Sequence, residues 1–235
     1  MTLVDRKDYF EVSWAALRSM VEGAAHGATI TALHTEYLAG KAKFVLGELE
    51  HVAENSVILL DGTCISFDFL VISTGNEGGV GKSVQTTRAD RLAYFEAEAQ
   101  RLAAASSVLI IGGGPAGIEL AGEIKTDHPT LMVTLVHSGP ALMAGGMTGS
   151  ALSAHLSKQL TKRLSRMGVL IQTGAHMPRN TDGDWVANAD IFSSRAWPKS
   201  PASIDLSLTP SLTRTRPRAR HPQYPTSCPS SSWSG

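Results

Sequence analysis

A glycine-rich turn between a strand and a helix is the feature that most constrains how this chain of 235 residues can fold. The apolar run Val108–Ile111 predicts a buried strand, and the glycines that follow lead directly into an amphipathic helical pattern. At such a junction Gly112 permits the tight turn, Gly114 lets a pyrophosphate approach the backbone, and Gly117 lets helix and strand pack closely. Pro115 suits the first helical turn, whose free amide groups attract anions. The pattern therefore predicts a dinucleotide-binding unit rather than a simple packing turn.

The second half of the unit follows at the expected spacing. The helix is predicted to run to about Lys125, and Leu131–Val136 is predicted to be the next parallel strand. An NAD site usually has Asp or Glu at the end of that strand, where the carboxylate binds the ribose 2′-hydroxyl. Here the position holds His137, which does not repel a 2′-phosphate. We therefore predict weak discrimination between NADH and NADPH, with a merely solvated strand-end histidine as the alternative.

The composition argues against several other classes of protein, namely membrane-spanning, secreted and metal-binding ones. The apolar fraction of 43% is sufficient for a globular core, and no segment is long and apolar enough to span a membrane. No secretory signal is visible, so the sequence favours a cytoplasmic location, with peripheral contact to organelle membranes as an open alternative. Cys64 and Cys228 form no Cys-x-x-Cys pair and the eight histidines show no ligand spacing, so no metal site is expected.

The last segment differs from the rest in composition. Between Arg195 and Gly235 six Lys or Arg residues stand against one acidic residue, which gives a net charge of +5, and seven of the eleven prolines lie here. Such a segment cannot bury enough apolar surface to offset its ordering entropy, so we expect a disordered tail. Its arginines could contact an anionic membrane weakly, and no specific nucleic acid is predicted. A solvated tail without a partner is the alternative.

The first third of the chain carries a second, less specific nucleotide-binding pattern. Thr2–Val4 predicts a short strand that ends at Asp5, as in the first half of a dinucleotide-binding unit. Phe67–Gly75 predicts a buried parallel strand that ends in a turn of small residues. Because the glycine-rich unit follows these segments, they suggest a flavin-binding domain interrupted by an inserted NAD-binding domain.

Further elements are predicted around these segments. A helix is expected to have Trp14, Leu17 and Val21 on one buried face. The predicted helices are Trp14–Glu22 and Tyr94–Leu102, the strands Lys43–Val45, Ser56–Leu60 and Gly168–Gln172, and the hairpin turn Asp61–Gly62.

Taken together, the chain resembles the apoptosis-inducing-factor homologues of the ferroptosis-suppressor type, within the pyridine nucleotide-disulphide oxidoreductase-like flavoproteins. The resemblance covers residues 2 to about 192 and includes the histidine at position 137, where most of the wider superfamily carries an acid. The segments that carry it are Val4–Phe10, Ala15–Arg18, Phe67–Gly75, Val108–Glu123, Glu123–Thr126 and Val133–Ser138.

The resemblance implies an α/β fold with two Rossmann-like dinucleotide-binding domains, the first for FAD and the second for NAD(P)H. It implies an FAD-dependent oxidoreductase in which hydride passes from NAD(P)H to the flavin and electrons then pass to a quinone-like acceptor.

The resemblance also implies roles for individual residues. Asp5 would bind the FAD adenosine ribose, and Lys7 would lie near the flavin. Thr74 and Gly75 would line the FAD pyrophosphate, and Glu119 would lie close to the nicotinamide. The NAD(P)H pyrophosphate would be held by Gly112, Gly113, Gly114 and Gly117.

The sequence departs from the family in ways that predict an incomplete fold. The first strand and glycine-rich turn of the FAD domain would precede Thr2, and the composition changes abruptly after Phe192. We expect a partial FAD-binding domain over 1–102, an NAD(P)-binding domain over 103–194 and the tail over 195–235. Two alternatives to the oxidoreductase stay open: an inactive or regulatory NAD(P)-binding fragment without turnover, and an interaction protein that uses the basic tail.

Overall fold

The computed structural model describes residues 1–75, 83–143, 154–176 and 202–203. The first part of the chain forms small sheets around short helices. Strand β1 (Thr2–Asp5) pairs in parallel with β4 (Lys43–Leu46), and β2 (Tyr9–Glu11) pairs antiparallel with β3 (Thr31–Leu33). A three-stranded antiparallel sheet consists of β5 (Leu49–Val52), β6 (Ser56–Leu59) and β7 (Cys64–Ser66). The helices are α1 (Ala16–Glu22), α2 (Ala24–Ile30) and α3 (His34–Tyr37).

The predicted strands at the start of the chain, at Lys43–Val45 and at Ser56–Leu60 are confirmed, but the position of Trp14 is not. Trp14 lies in a 3₁₀ helix, Ser13–Ala15, that precedes α1. Its side chain is 79% exposed, whereas Leu17 and Val21 are buried as predicted. Because the tighter 3₁₀ turn changes the angle between successive side chains, Trp14 does not share the buried face.

The prediction of a buried parallel strand at Phe67–Gly75 is wrong. These residues form no strand, and Phe69 and Val71 are 93% and 85% exposed. In a doubly wound sheet this segment and β1 would share a neighbouring strand. Among the described residues β1 pairs with β4 alone, so the apolar run has no adjacent strand to satisfy its backbone groups.

The second part of the chain is built on a parallel sheet. A long helix, α4 (Arg88–Ala104), leads into it and includes the helix predicted at Tyr94–Leu102. The described elements that follow are β8 (Ser107–Ile111), α5 (Pro115–Asp127), β9 (Met132–His137), α6 (Ala154–Arg166), β10 (Val169–Thr173) and β11 (Ala202–Ser203). The order across the sheet is β10-β9-β8-β11. The strands predicted on either side of the glycine-rich turn, and the third strand, are therefore confirmed.

The core of this second part extends to helix α1. Ile110, Val133 and Leu135 are fully buried in the sheet, and Ile124 packs on them from α5. Val21 of α1 belongs to the same buried cluster. Each such side chain contributes about 1.5–3 kcal/mol when buried. The two parts of the chain therefore share one packed boundary, at which α1 lies beside the helix that follows the glycine-rich turn.

Most of the predicted tail, 195–235, lies outside the described residues. Ala202–Ser203 are described, and they run parallel to Val108–Leu109 of β8. The disorder of the tail stays a prediction. Within the described ranges, no helix is both long and apolar enough to cross a bilayer. The same ranges contain no group of three or more side chains able to hold a metal ion.

Candidate nucleotide-binding site

The glycine-rich turn has the backbone conformation that its sequence requires. Gly112 adopts a φ of +117°, a region open to glycine, and its N–H donates to the Val136 carbonyl at 2.8 Å. Helix α5 begins at Pro115, and its N-cap residue Gly114 has no side chain to cap the first turn. That turn carries no acidic residue either. The free amide groups and the positive end of the helix dipole are therefore available to an anion.

Two of the glycines have distinct steric surroundings. A Cβ at Gly117 would overlap the carbonyl oxygen of Gly112, so only glycine permits this close contact between helix and turn. A Cβ at Gly114 would meet no atom within 4 Å, so open space lies over the turn on that side. The residues present fit a nucleotide pyrophosphate, because the turn combines free amide groups with room for the ligand.

His137, at the end of β9, is bonded to the turn itself. Its Nδ1 accepts a hydrogen bond from the Gly113 N–H, with 3.2 Å between the nitrogens. A neutral imidazole that accepts through Nδ1 carries its hydrogen on Nε2. That Nε2 is buried, and no described residue forms a hydrogen bond with it. A buried donor left unsatisfied costs about 1–3 kcal/mol, so this atom fits a site that a ligand completes.

Glu119 lies on α5, just beyond the first turn. Its side chain is exposed. Two effects raise the pKa of the Glu119 carboxyl above its ordinary value. The larger is the loss of water around the part of the group that the protein covers, and the smaller is the negative charge of the neighbouring Glu123.

Asp5 lies at the end of β1, and both of its carboxylate oxygens face groups of this chain. One oxygen accepts a hydrogen bond from the Lys7 N–H at 3.0 Å, and the other lies 3.4 Å from Nε2 of His34. His34 is buried, and its Nδ1 lies 2.9 Å from the Tyr37 hydroxyl. Its ring packs on Phe44 with 4.7 Å between centroids. Sequence reasoning missed His34, because no local pattern relates it to Asp5.

Lys7 extends over a buried aromatic ring. Its Nζ lies 5.7 Å from the centroid of Tyr9, and burial lowers the pKa of the Lys7 amine.

Nearby, Arg91 is fully buried and pairs with Glu11 through two hydrogen bonds. The Arg91–Glu11 pair was also missed, because the partners are 80 residues apart.

Thr74 and Gly75 are both exposed, at the end of the segment that forms no strand. Gly75 has a φ of +72°, and a Cβ placed on it would meet no atom of the described residues within 4 Å. Among the residues that the family resemblance assigned to FAD, Asp5 is thus fixed at a strand end, whereas Thr74 and Gly75 lie in solvent.

The parallel sheet and its glycine-rich turn define a Rossmann-like nucleotide-binding fold. The family model for pyridine nucleotide-disulphide oxidoreductase matches residues 3–189, and the chain belongs to this family. The predicted α/β fold with Rossmann-like nucleotide-binding domains is thereby confirmed, and FAD and NAD(P)H are the cofactors of this family.

The comparisons with individual proteins agree with the predicted resemblance. Ferroptosis suppressor protein 1 of Xenopus laevis is 36% identical over 146 residues, which cover 60% of this chain and 38% of that protein. Apoptosis-inducing factor homolog A of Dictyostelium discoideum is 28% identical over 172 residues, or 69% and 41% of the two chains. This chain thus spans less than half the length of these relatives.

A solved structure shows the same fold. The crystal structure of the ferredoxin reductase for the CYP199A2 system from Rhodopseudomonas palustris superposes with a TM-score of 0.59 at 16% identity. The match covers 85% of this chain and 56% of that one.

Proposed function

We propose that this chain binds NAD(P)H at its glycine-rich turn, as the nucleotide-binding part of an FAD-dependent NAD(P)H oxidoreductase. The observation that carries the proposal is the open N-terminus of α5 beside Gly114, with Gly117 held against Gly112. The first-turn amides would bind the pyrophosphate, and the helix dipole would favour its negative charge. Bound NAD(P)H would supply a hydride, and this chain would bind and orient it.

The proposal includes weak discrimination between NADH and NADPH. No carboxylate stands at the end of β9 to repel a 2′-phosphate, because His137 occupies that position. Replacing His137 with Glu is expected to favour NADH over NADPH, as the ratio of the two dissociation constants from calorimetric titration would show. An unchanged ratio in H137E would remove this part of the proposal.

The remaining roles are proposed on the family resemblance. Glu119 would lie near the nicotinamide, Asp5 would bind the FAD ribose and Lys7 would lie near the flavin. A quinone-like molecule would be the final electron acceptor, and the division into 1–102, 103–194 and 195–235 is part of the same proposal. Thr74 and Gly75 would line the FAD pyrophosphate, and both are exposed.

The experiment that tests the proposal measures binding and turnover separately. Purified chain is titrated with NADH, and NADH oxidation is then followed with added FAD and a water-soluble quinone. The oxidoreductase proposal predicts saturable NADH binding together with FAD- and quinone-dependent oxidation. Failure to bind NADH or NADPH would contradict the whole proposal.

A nucleotide-binding unit without turnover is the second candidate. The exposed apolar residues of 67–75 favour it, because the strand expected beside the flavin is not formed. This candidate predicts NADH binding with a colourless preparation that added FAD cannot reconstitute. Weak contact of the basic tail with anionic membranes is a separate proposal, which fails if a chain lacking 195–235 binds acidic liposomes as the full chain does.

A further inference from the structure

We propose that His137 is a positioning residue for the pyrophosphate site, and that it acts through the glycine-rich turn as well as through the ribose end of the nucleotide. This inference rests on the proposed function, because it concerns the same NAD(P)H site. The hydrogen bond from the Gly113 N–H to Nδ1 of His137 carries it. A residue whose only role was to contact the ribose would not need a hydrogen bond to the turn.

Among the described residues, hydrogen bonds hold Gly112 and Gly113 at three points, and His137 supplies one of them. Gly112 donates its N–H to the Val136 carbonyl, and the Gly113 carbonyl accepts from the Met143 N–H, both at 2.8 Å. The third point is the bond between Gly113 and His137. The two peptide groups that flank Gly113 are thus each held by a hydrogen bond, the first through its N–H and the second through its carbonyl, and they orient the next peptide groups, which lead into α5 and would face the phosphates.

Packing supports the same role. Gly113 is buried, and a Cβ placed on it would lie 2.9 Å from Cβ and Cγ of His137 and 2.7 Å from Cδ2 of Leu142. The turn therefore lies directly against the histidine side chain. A side chain of similar size that cannot accept a hydrogen bond would leave the Gly113 N–H buried without a partner, and the turn would have to move to reach water.

The bond also determines which nitrogen is left for the nucleotide. Because Nδ1 accepts from Gly113, Nε2 carries the hydrogen, and this buried Nε2 has no partner among the residues that the structure describes. The free donor suits an oxygen acceptor such as a ribose hydroxyl or a 2′-phosphate oxygen. One imidazole would thus connect the turn with the ribose end of the ligand.

Two ligands separate an effect on the turn from an effect on the ribose. ADP-ribose contains the pyrophosphate, whereas AMP has the same adenosine ribose and a single phosphate. In H137L we expect the dissociation constant for AMP to rise about tenfold, because AMP loses only the Nε2 contact with the ribose, and that for ADP-ribose to rise about a hundredfold, because it also loses the ordered turn. In H137N, whose side-chain oxygen can accept from the Gly113 N–H, the loss for ADP-ribose should fall to that for AMP, because the turn is restored and only the ribose contact is missing.

Each outcome decides between explanations. If H137L weakens AMP as much as ADP-ribose, or leaves ADP-ribose unchanged, the positioning role is overturned while the proposed NAD(P)H site survives. If the wild-type chain binds neither ligand nor NADH, the proposed function fails and this inference fails with it. Rescue by H137N distinguishes the hydrogen bond from mere filling of space.

Two measurements do not depend on ligand binding. Hydrogen exchange at residues 112–114 of the ligand-free protein should be faster in H137L than in the wild type and H137N, with exchange in β9 unchanged. Imidazole ¹⁵N shifts of the wild-type protein should show His137 with hydrogen on Nε2 and an unprotonated Nδ1. Hydrogen on Nδ1 would overturn the inference even if H137L does not fold.

Discussion

Arg91 donates from Nε and Nη2 to the two carboxylate oxygens of Glu11, at 2.9 and 2.8 Å, and so joins helix α4 to strand β2. The arginine side chain is fully buried and that of Glu11 is 7% exposed. The guanidinium also lies 4.2 Å from the centroid of the Phe95 ring. This pair anchors the start of the connecting helix to the first part of the chain.

Breaking this pair on one side should destabilise the protein strongly. R91M leaves the Glu11 carboxylate buried without its partner, so we expect a loss of about 3–5 kcal/mol in the free energy of unfolding, measured by urea denaturation. The double variant E11L/R91M removes both charges and should recover much of that loss. A double variant that is less stable than R91M alone would contradict this explanation.

Gly117 should tolerate no side chain if the nucleotide is to bind. In G117A the Cβ would overlap the carbonyl oxygen of Gly112, so helix and turn must separate. We expect the NADH dissociation constant to rise more than about tenfold. G122A is the matched control, because a Cβ there meets no atom within 4 Å and alanine favours a helix interior by about 1 kcal/mol over glycine. Equal affinities in the two variants would refute the steric argument.

Tyr9 should make the stability of the protein depend on alkaline pH. Burial raises the pKa of its hydroxyl to about 12 from an ordinary value of 10.0. The neutral tyrosine therefore contributes stability that is fully present below pH 10 and is lost as pH rises toward 12, because the unfolded chain ionises first. Urea denaturation across this range should show a shallower loss of stability in Y9F. The same slope in both proteins would exclude Tyr9 as the cause.

Lys125 should stabilise the connection between α5 and β9. Its Nζ donates to the carbonyl groups of Pro129 and Leu131 at 2.6 and 2.9 Å, and the residue is buried. K125M removes both donors, so we expect a loss of about 1–3 kcal/mol in the free energy of unfolding. The exposed Lys162 provides the control variant K162M, which should change stability by less than about 0.5 kcal/mol. Similar losses in both would show that burial at Lys125 does not matter.

The contrast between two apolar runs shows how far the sequence predicts the fold. Val108–Ile111 becomes a strand as predicted, because β9 lies beside it and satisfies its backbone groups. Phe67–Gly75 has an equally strong pattern but remains outside any sheet. A residue pattern indicates the propensity to form a strand, but whether a neighbouring strand is present depends on the rest of the sheet.

In the candidate site, too, features set by the local sequence could be predicted, whereas features set by tertiary contacts could not. The glycines of the turn were predictable, because each meets a local backbone requirement of a strand-to-helix junction. The bond between His137 and Gly113 was not, nor was the approach of His34 to Asp5, because both depend on the tertiary packing of side chains. Periodicity and spacing carry no information about such contacts.

The most direct test of the central claim is a titration of the isotope-labelled chain with NADH, followed by ¹H–¹⁵N correlation spectra. We predict saturable shifts of the amide signals of Gly113, Gly114 and the first turn of α5, with weaker changes elsewhere. Saturable shifts confined to the first part of the chain, around Asp5, would contradict the claim that the glycine-rich turn binds the nucleotide, as would the absence of any shift.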